Sequence, residues 1–422
     1  MPDRYIETMF NYRHIPFLVL ILLICGMKSK AQTIYSSEVS TLTAMVNGKW
    51  LSMPVMRLRS EDVLEIGFDQ LSHEYHRYRY HIQHCEADGT PSEDIFESDF
   101  LEGFNDNYIE DYVESINTNQ LYTHYSVRIP NERCRLKMSG NYLLTIMDED
   151  NDDELILELP FYIVEPLMTL GMEVFTNTDA TINKHHQQVN MWLNYGSLRV
   201  TNPERQIMTI VRQNGLCTNS SSRKGVIPNM VSDKGLEWIH NKNLVFEAGN
   251  EYKKFEILDT DHPSMGVDRI SWDGKQFNAW VFTDEIYTNY LTDEDANGAF
   301  LIRNSDYTEI DFTCEYMLVH FTLKAPKSIS TPVIDGAWTT DANRTKYMME
   351  WDGNLGLWHV AIPLKMGYYS YRYIIPDINE NFFQTENTYQ GMVYYKGVSD
   401  RTWRLVSFNE VAYPSRRTVS PY

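Results

Sequence analysis

Asn141-Tyr142-Leu143-Leu144-Thr145-Ile146-Met147, then Asp148-Glu149-Asp150-Asn151-Asp152-Asp153-Glu154, then Leu155-Ile156-Leu157-Glu158-Leu159-Pro160-Phe161-Tyr162-Ile163-Val164: this stretch decides the fold class. Two apolar segments rich in aromatic and β-branched residues flank an acidic turn, which reads as a β-hairpin. Glu165-Pro166 ends the unit, because proline cannot donate to a strand ladder.

The same two-residue period recurs on both sides. Upstream, Val63, Ile66 and Phe68 lie in a strand-like stretch, and Tyr78, Tyr80 and Ile82 alternate with Arg77, Arg79 and His81. Downstream, 167–176, 187–195, 205–211, 252–258, 279–282 and 316–323 read as strands, and the polar 214–224 reads as a loop. After Ala325-Pro326, Trp358, Val360 and Ile362 alternate, Gly367 interrupts, and Tyr369, Tyr371, Tyr373 and Ile375 alternate again. No long apolar run at helical spacing carries caps. The expected fold is all-β: tandem immunoglobulin-like or early-set β-sandwiches over 32–166, 167–325 and 326–422.

Residues 1–31 read differently. Arg4, Arg13 and His14 precede the apolar run 15–25, and Ser29-Lys30-Ala31 puts small residues at the −3 and −1 positions before Gln32. This is the pattern of a secretory signal, so export and cleavage between Ala31 and Gln32 are expected. An uncleaved anchor is the alternative. A lipoprotein signal on Cys25 fits poorly, because Ile24 is bulky where a small residue is needed. Without residues 1–31, which carry four Lys/Arg and two Asp/Glu, the formal charge of −21 becomes −23. Such a chain repels phosphate backbones and anionic headgroups, which argues against nucleic-acid binding. No later apolar run approaches membrane-spanning length.

Signs of chemistry are few. Cys85, Cys134, Cys217 and Cys314 form no C-x-x-C pair. Two bridges are permitted in an oxidising compartment, and so are buried thiols; if a bridge forms, Cys85–Cys134 is expected, since both lie in the first unit. His73, His76, His81 and His84 lack the spacing of a helical zinc site, and 148–154 lacks the glycine and glutamate of an EF-hand. There is no nucleophile elbow, Walker loop or dinucleotide fingerprint. No metal, cofactor or small-molecule substrate is expected. Trp338, Trp351, Trp358 and Tyr369 could form a sugar-stacking platform or simply pack in a core.

Several longer stretches carry a family resemblance. Asn47-Gly48-Lys49-Trp50, Leu71-Ser72-His73-Glu74-Tyr75-His76-Arg77-Tyr78 and His84-Cys85-Glu86-Ala87-Asp88 resemble the type IX secretion system plug family. So do Phe100-Leu101-Glu102-Gly103-Phe104-Asn105-Asp106-Asn107-Tyr108-Ile109-Glu110-Asp111-Tyr112, Tyr122-Thr123-His124-Tyr125, Ile129-Pro130-Asn131-Glu132 and Ser139-Gly140-Asn141-Tyr142-Leu143-Leu144. Gln384-Thr385-Glu386-Asn387-Thr388-Tyr389 and Val393-Tyr394-Tyr395 resemble its closing strands. Gly89, where an aromatic is expected, and Lys396, where arginine is usual, depart from the pattern.

The resemblance implies a non-enzymatic periplasmic protein of Bacteroidetes-type bacteria. It would bind the large outer-membrane translocon barrel and close its periplasmic end when no substrate is engaged. Within 101–112, Phe104, Tyr108 and Tyr112 are candidate anchors for that partner, and Asp106, Glu110 and Asp111 could steer a basic one. These aromatics could equally pack inward. The second reading is a glycan-binding or cell-surface accessory protein, because the aromatic hairpin of the third unit looks like the early-set domains appended to carbohydrate enzymes.

Overall fold

The structure is a computed structural model that describes residues 32–414 except 218–219, 288, 307 and 379. Residues 1–31, the expected signal segment, with Ala31, lie outside the described residues. The chain is an all-β protein built from three packed sandwiches.

The acidic stretch does turn a hairpin. Strands Gly140–Asp148 and Glu154–Val164 pair antiparallel from Gly140↔Ile163 to Asp148↔Glu154, with a bulge at Ile146/Met147. Between them Asp148 caps a 3-10 turn by accepting the Asp150 amide, and Asp152 and Asp153 take left-handed φ of 51° and 59°. Short polar side chains tolerate that region best, which is why an acidic run closes the turn.

Strand Tyr78–Cys85 pairs with the other side of Gly140–Asp148. Thr33–Ile34 and Val55–Arg57 join at Glu154–Val164, and Asn107–Tyr108 closes the opposite edge. A second sheet orders Val39–Val46, Leu64–Gln70, Thr123–Ile129 and Asp111–Glu114. Tyr80, Ile82, Leu144, Ile146, Leu157 and Phe161 face Ile66, Phe68, Tyr125 and Val127 across the core. Each fully buried side chain of this kind contributes about 1.5–3 kcal/mol over its exposed state. Alternation leaves Arg79 and His81 on the outer face.

The boundary expected at Pro326 falls inside a sandwich. Tyr316–Lys324 pairs along its whole length with Leu357–Lys365. Gly367–Ile374 pairs with Lys253–Ile257, Phe300–Ile302 and Val333–Asp335. Residues 253–375 therefore share one core, in which Phe255, Val319, Phe321, Ile362, Tyr369 and Tyr371 meet.

The last two strands do not belong to that core. Asn387–Tyr395 pairs with Ile207–Gln213 and with Arg404–Tyr413. Tyr389, Val393 and Val406 pack on Val189, Met191 and Trp238. The sandwich at 253–375 is thus inserted into the middle one, which 167–249 begins and 387–413 completes. The stretch expected as a C-terminal domain is divided between the two.

Polar groups seal the junctions. Between the first and middle sandwiches, Met53, Tyr162 and Val164 pack on Ile210, Met392, Tyr394 and Leu405. There the Tyr394 hydroxyl donates to Asn141 Oδ1 (2.8 Å) and Arg212 donates to the Tyr162 hydroxyl (3.0 Å). Between the first and inserted sandwiches, the Ile34 amide donates to Thr340 O (2.9 Å) and the Ile116 amide to Phe312 O (2.9 Å).

At the centre of that second junction Asp69 is fully buried. Its Oδ2 accepts from Lys365 Nζ (2.8 Å) and the Tyr316 hydroxyl (2.7 Å), and its Oδ1 faces His124 Nδ1 (2.6 Å). Burial alone would push this carboxyl up, but Lys365 and His124 beside it outweigh burial and hold it below the usual carboxylate range.

Candidate partner-binding face

The segment 101–114 crosses from one sheet of the first sandwich to the other and closes its open side. Leu101–Gly103 pairs with Cys134–Leu136. At Gly103 φ is +103°, and a Cβ there would lie 2.0 Å from Arg133 O, so only glycine permits the approach. Asn105 then imitates a strand neighbour: its Oδ1 accepts the Ile82 amide and its Nδ2 donates to Ile82 O, both at 2.9 Å. Asn107–Tyr108 pairs with Tyr80 and Arg79. Asp111–Glu114 becomes the edge strand of the other sheet, against Thr123–Ile129.

The three candidate aromatics meet different fates. Phe104 is 75% exposed on the outer turn. Tyr112 is 46% exposed and stands beside Tyr75, itself 59% exposed, with ring centroids 5.3 Å apart. The inner side of Tyr112 stacks on buried Tyr125 at 5.6 Å. Tyr108 is partly covered: the Arg77 guanidinium lies 4.5 Å over its ring and its hydroxyl donates to Glu149 (2.9 Å). Phe104 and Tyr112 are thus presented outward, while Tyr108 is fixed within the fold.

The three candidate acids are engaged within the chain. Asp106 pairs with Arg79 (2.8 Å) and His81 (3.1 Å), and Arg79 also binds Asp153 of the acidic turn (3.0 Å). Glu110 pairs with Arg133 (2.6 Å), and Asp111 accepts from the Ser126 hydroxyl (2.7 Å). Such exposed pairs contribute about 0–1 kcal/mol each. Their effect here is to fasten the crossing segment to the hairpin tip and to cancel much of the charge that would steer a basic partner. Tyr75 and the arginines were missed in the sequence. Arg77 and Arg79 had a signal: their alternation with Tyr78 and Tyr80 places them on the solvent face.

The remaining candidates disperse. His73 contacts Ser115 (3.0 Å), His76 contacts Asp148 (2.7 Å), and His84 is buried against Ser92 (2.8 Å). Among the described residues no group of three or more His, Cys, Asp or Glu is placed to hold a metal ion.

Cys85 and Cys134 are buried thiols, not a bridge. Cys134 Sγ lies 3.6 Å from the Tyr80 hydroxyl, inside the core. Tyr80 and Cys85 are five positions apart on one strand, so Cys85 points to the opposite face. The proposed sugar platform is also largely interior. Trp338, Trp358 and Tyr369 are at most 7% exposed and belong to the core of the inserted sandwich, with Trp351 packed against it.

The outer turn and edge strand of the first sandwich thus present exposed aromatics to solvent. No described helix is long and apolar enough to cross a membrane. Residues 39–165, which make up most of the first sandwich, match the family model described as the type 9 secretion system plug protein 1st domain. The chain thus carries the first domain of the type IX secretion system plug family. A hypothetical protein from Parabacteroides merdae, known from a crystal structure at 2.30 Å, is 30% identical, with a TM-score of 0.85 over 91% of this chain and 100% of that one. No curated protein matches.

Proposed function

We propose that this protein is a non-enzymatic periplasmic plug that closes the periplasmic end of the type IX outer-membrane translocon barrel when no substrate is engaged. The match of residues 39–165, most of the first sandwich, to the plug family's first domain carries the reading. The reading includes export, cleavage after Ala31, and residence in the periplasm beside the outer membrane.

Physical features agree with the role. A shutter for a wide aqueous pore needs bulk and stiffness, and a compact fold of about 390 residues has a radius of gyration of roughly 21 Å. Three sandwiches joined by buried polar contacts resist deformation. Release requires a modest interface with a few anchors. Phe104 and the Tyr75–Tyr112 pair supply exposed aromatic anchors on the first sandwich, while Tyr108, Asp106, Glu110 and Asp111 hold the segment that carries Phe104 and Tyr112.

Capture from native membranes tests this. Tagged wild-type protein is expected to retain the translocon barrel. Phe104→Ser and Tyr112→Ser are expected to lose it while keeping the wild-type urea midpoint. Retention undiminished in both variants moves the interface elsewhere, and capture of no barrel by the wild type refutes the function.

A further inference from the structure

Strands Val267–Trp272 and Phe277–Val281 form a hairpin at the edge of the inserted sandwich, and its last opposed pair is Trp272↔Phe277. The tip is tight, because Asp273 Oδ1 accepts the amides of Lys275 (2.8 Å) and Gln276 (2.9 Å). The two rings lie 4.9 Å apart at 58°, and Trp272 remains 48% exposed. Trp272 therefore offers an indole face to solvent, backed by the Phe277 ring.

These rings form one wall of an open cleft of about 650 Å³. Most of the remaining lining also comes from the inserted sandwich, and the first sandwich contributes Asn117 and Asn119. Asn119 Nδ2 donates to Lys275 O (2.9 Å) and the Gln120 amide to Glu315 (3.1 Å), so the two sandwiches are fixed to each other here. Thr308 and Thr313 add hydroxyls.

The described lining contains no Lys, Arg or His, whereas Asp259, Asp306, Glu309 and Glu315 all contribute to it. Phosphates, nucleic acids and acidic polymers are therefore repelled. What fits is a ligand with an apolar face for the indole and many neutral hydroxyls for the amides and carboxylates.

We propose that this cleft binds a neutral oligosaccharide, with Trp272 as the stacking platform. The site is separate from the interior aromatics of the inserted sandwich and independent of the plug reading. Because its lining comes from two sandwiches, bound sugar also holds those sandwiches together, and thermal stability rises with ligand concentration.

The test is titration of the full mature chain with maltotriose, cellotriose and tri-N-acetylchitotriose, followed by tryptophan fluorescence and calorimetry. Saturable binding of at least one is expected, with an upward shift in melting temperature. Trp272→Ala is expected to weaken binding by about tenfold or more. Should that variant misfold, Trp272→Leu keeps apolar bulk without a ring face and is expected to show the same loss. No saturable binding up to the solubility limit overturns the proposal. So does wild-type affinity in a folded Trp272 variant, or binding of trilysine that the sugars do not compete, which would mark a cation site.

Discussion

Replacing Lys365 with methionine perturbs the junction between the first and inserted sandwiches at one atom group. Lys365 and Asp69 are 1% and 0% exposed and 2.8 Å apart. Methionine keeps most of the apolar stem but leaves the carboxylate without its ammonium. Breaking a buried pair on one side costs about 3–5 kcal/mol. The Tyr316 hydroxyl and His124 still contact Asp69, which places the cost near the lower end, about 3 kcal/mol.

The exposed pair Arg128–Glu65 (3.2 Å) is the control, and Glu65→Gln is expected to cost about 0–1 kcal/mol. In the double variant Asp69→Leu/Lys365→Met no charge is left stranded, so most of the loss should return. Urea unfolding followed by tryptophan fluorescence measures these proteins and the single variant Asp69→Leu.

The pH dependence follows from the direction of the Asp69 shift. Its folded carboxyl is held low, so its stabilisation is complete above the unfolded value of about 3.9 and is lost as pH falls through the depressed folded value. The wild-type advantage over Lys365→Met should therefore vanish in acid. A single-variant cost no larger than the Glu65→Gln control, or a double variant as unstable as the sum of the singles, refutes the assignment of Asp69–Lys365 as the interdomain clasp.

Gly103→Ala should destabilise by about 1–3 kcal/mol, because alanine cannot hold the positive φ against Arg133 O; a midpoint shift under a few tenths would contradict the close approach. Thiol titration of the mature chain should find almost no reaction in the native state and four thiols in denaturant, whereas two would restore a bridge. His320 is half-buried beside His359 and Arg269, and the partial burial foremost brings its pKa down to about 4. The unfolded chain takes up that proton first, so this contribution to stability is lost between about pH 6.5 and 4. His320→Gln removes it, and the gap between variant and wild type should narrow over that window; a constant gap contradicts the shift.

Local pattern carried much of the fold. Alternation at Tyr78–Ile82 and across 141–164 identified the strands, their inward faces and the hairpin, since a half-buried strand must repeat every two residues. What it could not carry is which strands pair over long distances. Asn387–Tyr395 looks the same whether it joins its sequence neighbours or crosses back some 180 residues to Ile207–Gln213. The Tyr369–Tyr373 face was legible as apolar but not as interior, because a core and a stacking platform want the same residues. At the partner face the aromatics were legible and the pairing of the acids was not: Asp106 and Glu110 meet arginines 27 and 23 positions away.

Permeability of the outer membrane tests the central claim most directly. Deleting the gene for this protein should raise uptake of large antibiotics in cells that carry the translocon barrel and leave it unchanged in cells that lack the barrel. Full-length protein should restore the barrier, and a variant carrying both Phe104→Ser and Tyr112→Ser should not. Unchanged permeability after deletion in barrel-containing cells would contradict the plug.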